Sequence, residues 1–126
     1  MIGVTDPRTL RLLRLVSPGM LPTPTAAAVI CIDEGRAAGY GFRPGTPGLY
    51  VDVGTTAATM LLAAFEMGVG CCPVTSFSRA AVARILGVDA GVAPQMIICL
   101  GHAAAQQPPA MGATLTNTVD DKIERR

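Results

Sequence analysis

Residues 51–68 read "VDVGTTAATMLLAAFEMG", and this stretch decides the fold. Ala, Leu and Met are strong helix formers, and Gly68 is suited to the position just after a helix ends. Either Asp52 or Thr55 is predicted to be the N-cap, because its side chain can accept hydrogen bonds from free N–H groups of the first turn. The stretch therefore predicts a long helix that is apolar on almost every side, and such a helix has to be buried.

The first six residues, "VDVGTT", also resemble the loop with which actin-like and sugar-kinase ATPases hold a phosphate. In those proteins the loop joins two strands, whereas a helix-forming segment follows it here. The chain has no P-loop lysine and no second phosphate motif, and 126 residues are too few for a two-lobed ATPase. A helix start is the preferred interpretation, and phosphate binding at that start is the alternative.

The composition indicates one domain with an interface. Half of the residues are apolar and 15% are charged, against roughly 25% in ordinary soluble domains. One domain of this size rarely buries a helix on all sides, so we expect its second face to meet another subunit. The formal net charge is +1, and no basic run is interleaved with aromatic residues, so we expect no nucleic-acid partner.

A membrane span and a secretion signal are both unexpected. The longest apolar stretch, "AATMLLAAFEMGVGCCPV", contains Thr59 and Glu66 and is broken at Gly68 and Gly70. It falls short of the roughly 20 residues that a membrane helix needs. The N-terminus has no apolar run that ends in a cleavage site. We therefore expect a cytoplasmic protein with no membrane partner.

Helices and strands alternate along the chain. Thr5 or Asp6 is the predicted N-cap of the first helix, Ser76 or Ser78 that of the last, and Gly87 ends the last helix. The glycine-rich segment 34–48 is predicted to be a loop or irregular hairpin. The other predicted elements, in chain order, are a helix in "TDPRTLRLLRLVS", a strand "AAAVICID", the long helix, a strand "CCPVTSF", a helix in "SRAAVARILG" and a strand "PQMIICLG".

Cys31, Cys71, Cys72 and Cys99 all lie in apolar stretches without metal-ligand spacing. We interpret them as small buried hydrophobic residues and predict no metal site. A redox pair formed by Cys71 and Cys72 is the alternative, although a disulfide between neighbouring residues strains the backbone.

The runs "DVGTTAATMLLAAFEMGVGCCPVTSF", "RILGV" and "PQMIICLGHA" together resemble the C-terminal half of the FMN-dependent nitroreductases. The resemblance extends over residues 5–103 and lies in the order and spacing of the elements. It implies an α+β, truncated nitroreductase-like fold in residues 1–103, with a short mixed sheet packed on a long central interface helix. Residues 104–126 are predicted to be a flexible tail or an arm that wraps a partner.

The resemblance also implies a flavin contact in "PVTS". Pro73 and Val74 would lie beside the isoalloxazine ring of FMN, and backbone groups of Thr75 and Ser76 would approach its ring nitrogens. The family often has an acidic residue and a glycine at the last two positions, so an acidic side chain is lost here. An ordinary strand end, where Ser76 or Ser78 caps the next helix, is the alternative.

Family members are dimers that build each flavin site from both subunits, and the segments that bind the flavin phosphate have no counterpart in this sequence. The chain thus resembles the small subunit of the bacterial cyclic dipeptide oxidases. That resemblance implies FMN shared with a nitroreductase-like large subunit, oxidation of a cyclodipeptide at a Cα–Cβ bond, and a heteromer or filament. A non-catalytic assembly subunit and a homodimeric pseudoenzyme are the alternatives.

No catalytic residue is predicted. His102 is the single histidine and follows the last strand, where a surface position is preferred over a catalytic base because no Ser, Cys or Asp partner is matched to it. Tyr40 and Tyr50 flank the glycine-rich segment and are candidates either for a substrate pocket or for interface anchors.

Overall fold

The computed structural model describes residues 1–102, so the predicted tail at 104–126 lies outside the described residues. The α+β class is confirmed. The sheet, predicted to be mixed, has only antiparallel neighbours in the order β1-β2-β4-β3. In chain order the elements are β1 (Ile2–Val4), α1 (Pro7–Leu15), β2 (Ala26–Asp33), α2 (Glu34–Gly39), α3 (Pro47–Glu66), β3 (Gly70–Val74), α4 (Arg79–Leu86) and β4 (Val92–Gly101).

Helix α1 begins as its sequence predicts. Asp6 is the N-cap, and its Oδ2 atom accepts a hydrogen bond from the Thr9 backbone N–H at 2.8 Å. Pro7 follows at the first helical position, where its missing N–H costs nothing. Leu10 and Leu13 are buried against the sheet, so the apolar stripe of the helix sets its orientation.

One face of the sheet is covered by α1 and α4. Every second residue along β2 and β4 points to this side of the sheet. Val29 and Ile97 are two of them, and both are fully buried. Ser78 caps α4 by accepting from the Ala81 N–H, and Gly87 ends it in the left-handed conformation. The buried residues of this core are Val4, Leu10, Leu13, Met20, Ala27, Val29, Val74, Val82, Ile97 and Cys99.

The opposite face is covered mainly by α3, with the short helix α2 packed at the end of β2, and α3 begins earlier than predicted. Its N-cap is Thr46 and Pro47 occupies the first turn, so Asp52 and Thr55 lie inside the helix. The prediction that either of them is the cap is therefore wrong. The phosphate-loop alternative is also wrong, because residues 51–56 are helical and their N–H groups belong to the helix.

Only three residues of α3 are buried, namely Val53, Ala57 and Ala64. The first two pack on a second core, whose sheet residues are Ala28, Ile30, Ile32 and Ile98. The single chain buries only the side of α3 that faces the sheet, and the contact of its second face with another subunit stays a prediction.

Helix α3 is also longer than its sequence suggested. It has 20 residues and a mean hydropathy of 1.3, so by length and composition alone it could cross a membrane. Because core helices of other proteins and signal sequences also meet this criterion, it is weak evidence for a membrane span.

The sequence missed two short elements. Residues 34–39 form helix α2, which Asp33 caps by accepting from the Arg36 N–H at 2.9 Å, so the prediction of a loop throughout this segment is wrong. Strand β1 pairs with β2 through Gly3 and Ala28 and was not predicted. A three-residue strand has too little pattern to be recognised from sequence.

The two outer strands of the sheet are short. Strand β1 has three residues, and β3 has five, including Pro73. A proline cannot donate to a ladder and is therefore confined to strand edges and bulges. The inner strand β4 also contains a proline, Pro94, where its register with β2 shifts by one residue at Gln95. This bulge accommodates a proline within an inner strand.

Candidate functional site

The predicted flavin-binding residues lie where β3 ends. Pro73 and Val74 are the last two residues of the strand, and Thr75 and Ser76 follow it directly. Val74 is buried in the core, whereas Pro73, Thr75 and Ser76 are exposed. The structure therefore places three of the four residues at the surface in a single short segment.

The backbone of this segment is fixed by the loop that follows α1. The Gly19 N–H donates to the Ser76 carbonyl at 3.3 Å, and the Ser78 N–H donates to the Val16 carbonyl at 2.9 Å. Glycine at position 19 avoids a tight contact, because a Cβ there would lie 3.1 Å from Val74 Cγ1 and 3.3 Å from Ser76 Cβ. The two loops therefore hold each other in place without using the Thr75 side chain.

Several polar groups of the segment are free to bind. Ser78, rather than Ser76, caps α4, which decides between the two predicted caps. None of the loop backbone hydrogen bonds within residues 1–102 uses the N–H of Thr75 or Ser76 as its donor. Two adjacent N–H groups beside an exposed proline suit one edge of a flat heteroaromatic ring with acceptor atoms. None of the described pockets includes Pro73, Val74, Thr75 or Ser76, so the segment supplies one wall and no enclosure.

Two buried polar atoms lack a partner within the described chain. Ser17 Oγ lies in the loop that holds Ser76, and Gln95 Oε1 lies at the β4 bulge. Ser17 is 1% exposed, while Gln95 donates through Nε2 to the Ala93 carbonyl at 3.3 Å. Buried groups of this kind are normally satisfied, so both mark places where water or another group can bind.

A cavity of about 480 Å³ lies between the end of β2 and the first half of α3. Its floor is apolar and includes Ile30, Ile32 and Val53, while Asp33, Arg36, Tyr40, Phe42 and Asp52 bring charged and aromatic groups to it. A pocket of this size with an apolar floor and a few polar groups is typical of a small-molecule site. Tyr40, a candidate for either a substrate pocket or an interface anchor, lines this cavity, whereas Tyr50 does not.

A second cleft, of about 250 Å³, lies at the opposite end of the sheet, where β3 begins and β4 ends. It is lined by Cys71, Cys72, Cys99 and the exposed His102, together with Gly70, Gly101 and the segment 22–25. Within residues 1–102 no group of three or more His, Cys, Asp or Glu side chains is arranged to hold a metal ion. The surface position favoured for His102 is confirmed.

The cysteines differ in burial. Cys99 is buried, Cys31 and Cys71 are half-buried, and Cys72 is exposed, so the prediction that all four are buried is wrong at Cys72. Burial raises the pKa of the Cys31 thiol. It also raises the pKa of Cys99 to about 11, with a smaller contribution from the neighbouring Cys72. Both buried thiols therefore stay protonated near neutral pH.

The fold is that of a known family. A model of the nitroreductase family matches residues 22–102, which include β2, α3, β3, α4 and β4. The matched region covers more than half of the chain. The chain therefore belongs to the nitroreductase family.

Solved structures share this fold. The chain is similar to an FMN-dependent nitroreductase from Clostridium difficile, with a TM-score of 0.70, 19% identity and coverage of 94% of this chain and 70% of that one. It is similar to the nitroreductase NfrA1 from B. subtilis, with a TM-score of 0.68, 22% identity and coverage of 98% of this chain. For nitroreductase A from Vibrio parahaemolyticus the TM-score is 0.67, with 26% identity and coverage of 83% of this chain.

The match covers only part of these proteins. The chain spans 60% of the B. subtilis protein and 49% of the Vibrio protein.

Proposed function

We propose that the chain is one subunit of an FMN-dependent oxidoreductase, and that a second, nitroreductase-like chain completes its flavin site. The observation that carries this proposal is the outer face of α3, formed by Val51, Gly54, Thr55, Ala58, Leu62 and Phe65. These residues recur at helical spacing on the side opposite the sheet. Val51, Leu62 and Phe65 are 65%, 69% and 76% exposed. A contiguous apolar face of this kind is typical of a protein–protein interface.

The polar groups of the outer face are satisfied inside the helix. Thr55 Oγ1 donates to the Val51 carbonyl at 2.9 Å, so its hydroxyl needs no water. A Cβ at Gly54 would meet nothing within 4 Å, so the packing of this chain does not require glycine there. Glycine in a helix interior costs about 1 kcal/mol relative to alanine. Close approach of a partner helix would offset that cost.

The segment after β3 supports a flavin site on the same chain. Bound FMN would supply a two-electron acceptor, and this chain would contribute Pro73 beside the ring and the N–H groups of Thr75 and Ser76 at its edge. N–H groups placed there favour negative charge on the ring. Because none of the described pockets includes the segment, the other walls and the phosphate contacts come from the partner in this proposal.

The proposed substrate is a cyclic dipeptide, whose ring presents two amide N–H donors and two carbonyl acceptors. The cavity of about 480 Å³ offers the complementary groups, with carboxylates at Asp33 and Asp52 and donors at Arg36 and Tyr40. Strands β2 and β3 both run antiparallel to β4, so both lead toward the end of the sheet where β4 begins. The proposed reaction removes one hydrogen each from Cα and Cβ, and dioxygen is reduced to hydrogen peroxide.

A second candidate function is a non-catalytic assembly subunit. The position of Pro73–Ser76 outside the described pockets favours it, because the apolar face of α3 could bind a partner without any flavin contact. A homodimer, in which the α3 helices of two copies of this chain pack together, is the corresponding assembly without a different partner. It would behave as a pseudoenzyme.

The substitution Thr75→Arg separates these functions. The variant is co-expressed with the nitroreductase-like chain, and flavin content, turnover of a cyclic dipeptide and complex size are measured on the same sample. If the segment faces the flavin, the bulky cation displaces the ring, so visible absorbance and turnover fall at least tenfold while the complex keeps its size. Thr5→Arg is the matched control, because Thr5 is also exposed but lies before α1.

Normal flavin content and turnover in the Thr75→Arg complex would assign the chain to the assembly role. A stable homodimer of the chain in sedimentation experiments, with no gain in melting temperature on adding the partner, would instead support the pseudoenzyme.

A further inference from the structure

Strands β3 and β4 bring two cysteines together that are far apart in sequence. Cys72 and Cys99 are direct partners in the antiparallel register, with Pro73–Ile98 and Cys71–Leu100 on either side. Direct partners point to the same face of a sheet, and their Cα atoms lie about 4.5–5.5 Å apart. A disulfide requires a Cα separation of roughly 4.4–6.8 Å, so the register meets this requirement.

Cys71 cannot take the place of either partner. Successive residues of a strand point to opposite faces, and the Cys71 Sγ atom lies against α3, 3.7 Å from the Leu61 carbonyl. The redox pair of Cys71 and Cys72 considered from the sequence is therefore wrong. Cys31 belongs to the far half of β2, where its partner on β4 is Pro94.

The Cys72–Cys99 pair is open to small molecules from one side. Cys72 is exposed, Cys99 is 8% exposed, and both line the cleft of about 250 Å³. Gly70 and Gly101, which are direct partners at this end of the two strands and also line the cleft, have no side chains to fill it. The difference in exposure assigns the roles, because an exposed thiol reaches a reagent first while a buried one can only react from within.

We infer that Cys72 and Cys99 form a dithiol site that closes reversibly to an intrachain disulfide by exchange with a small-molecule disulfide. The Cys72 thiolate attacks one sulfur of glutathione disulfide, which forms a mixed disulfide and releases one glutathione thiolate. Cys99 then loses its proton and attacks the Cys72 sulfur, which releases the second glutathione. Two protein thiols are oxidised to one disulfide, and one glutathione disulfide is reduced to two thiols.

The bond would join an edge strand to its inner neighbour. Residues 72 and 99 close a loop that contains α4 and the segment Pro73–Ser76, so oxidation restrains the unfolded chain and holds β3 on the sheet. Because the bond spans adjacent strands and opens to a cleft, we expect dithiothreitol to reduce it readily.

The test uses the full chain, reduced and then incubated with glutathione disulfide. Intact mass should fall by two hydrogen atoms per chain, and a non-reducing digest should contain one linked peptide that joins Cys72 to Cys99. The melting temperature should rise by about 5 °C or more and return to its starting value after dithiothreitol. Cys71→Ser is the matched control, because it removes the neighbouring thiol on the other face and should leave all three results unchanged.

Two further variants interrupt the exchange at different steps. Cys99→Ser should trap the first step, so that one glutathione stays attached to Cys72, whereas Cys72→Ser should show neither mass change. Cys72 is exposed, so that variant is expected to fold. Loss of the linked peptide in Cys71→Ser, a disulfide between Cys71 and Cys99 in Cys72→Ser, or a wild-type chain that stops at the glutathione adduct would each overturn the inference.

Discussion

The two faces of the sheet are covered in different ways. Helices α1 and α4 seal one face within the chain, where Leu13, Val82 and Ile97 have no exposed surface. Helix α3 covers the other face with three buried residues and leaves its outer face exposed. Apolar burial on the first face serves the stability of the chain itself, whereas apolar surface on α3 gains its free energy only when another chain covers it.

The largest expected effect is a difference in the free energy of unfolding when the same substitution, Leu to Ala, is made on each face. Leu13→Ala removes a fully buried side chain and should lower the free energy of unfolding by about 2–5 kcal/mol. Leu62→Ala on α3 should change it by less than about 0.5 kcal/mol, because the side chain is 69% exposed. Urea denaturation of the isolated chain measures both, and equal losses would show that the faces do not differ.

The second effect concerns association. Phe65→Glu places a charge within the proposed interface, near the C-terminal end of α3, and should weaken partner binding by about 2 kcal/mol, or roughly thirtyfold. Leu15→Glu is the control, because Leu15 is 80% exposed but belongs to α1. Binding is measured by titration with the nitroreductase-like chain. Equal weakening of partner binding by both variants would show that the interface does not lie on α3.

A smaller effect is expected from the N-cap of α4, on the face of the sheet that α1 and α4 cover. Ser78→Ala removes the N-cap and should cost about 1 kcal/mol in the free energy of unfolding. Ser76→Ala leaves the cap intact, since Ser76 contributes only its carbonyl to the loop, and should have little effect. Both values come from chemical denaturation, and a larger loss at Ser76 would contradict the assignment of the cap.

The smallest effect is a pH dependence at the start of α1. Hydrogen bonds from the Thr9 side chain and N–H lower the pKa of Asp6 below its ordinary value. The carboxylate therefore stabilises the folded chain above about pH 4, and this stabilisation is lost as pH falls through the lowered pKa. The melting temperature of the wild type should fall more between about pH 6 and about pH 3 than that of Asp6→Asn. An equal fall in both would exclude the contribution.

Local chemistry explains which elements the sequence predicted. Asp6 followed by Pro7 fixed the start of α1, and the apolar runs of β2 and β4 were continuous enough to be read as buried strands. The start of α3 was misplaced because the glycines around Pro47 indicated a loop, although a proline after Thr46 is itself a helix-start signal.

The candidate site was less accessible to sequence reasoning. The residues of "PVTS" follow one another, so a pattern could locate them, and the structure adds their exposure and the contact with Gly19. The pairing of Cys72 with Cys99 depends on strand register, which no local signal in either strand determines. The exposure of Cys72 likewise depends on where α1 and α4 stop covering the sheet.

The two edges of the sheet affect the tendency of this chain to aggregate. An open strand edge is a template for aggregation, since its free N–H and C=O groups can pair with any other strand. Here one edge offers only the three residues of β1, and the other carries Pro73, which has no N–H to give. Within residues 1–102, both edges of the sheet are therefore poor templates for adding strands, and the exposed apolar surface of α3 carries less risk of amyloid-like fibre formation.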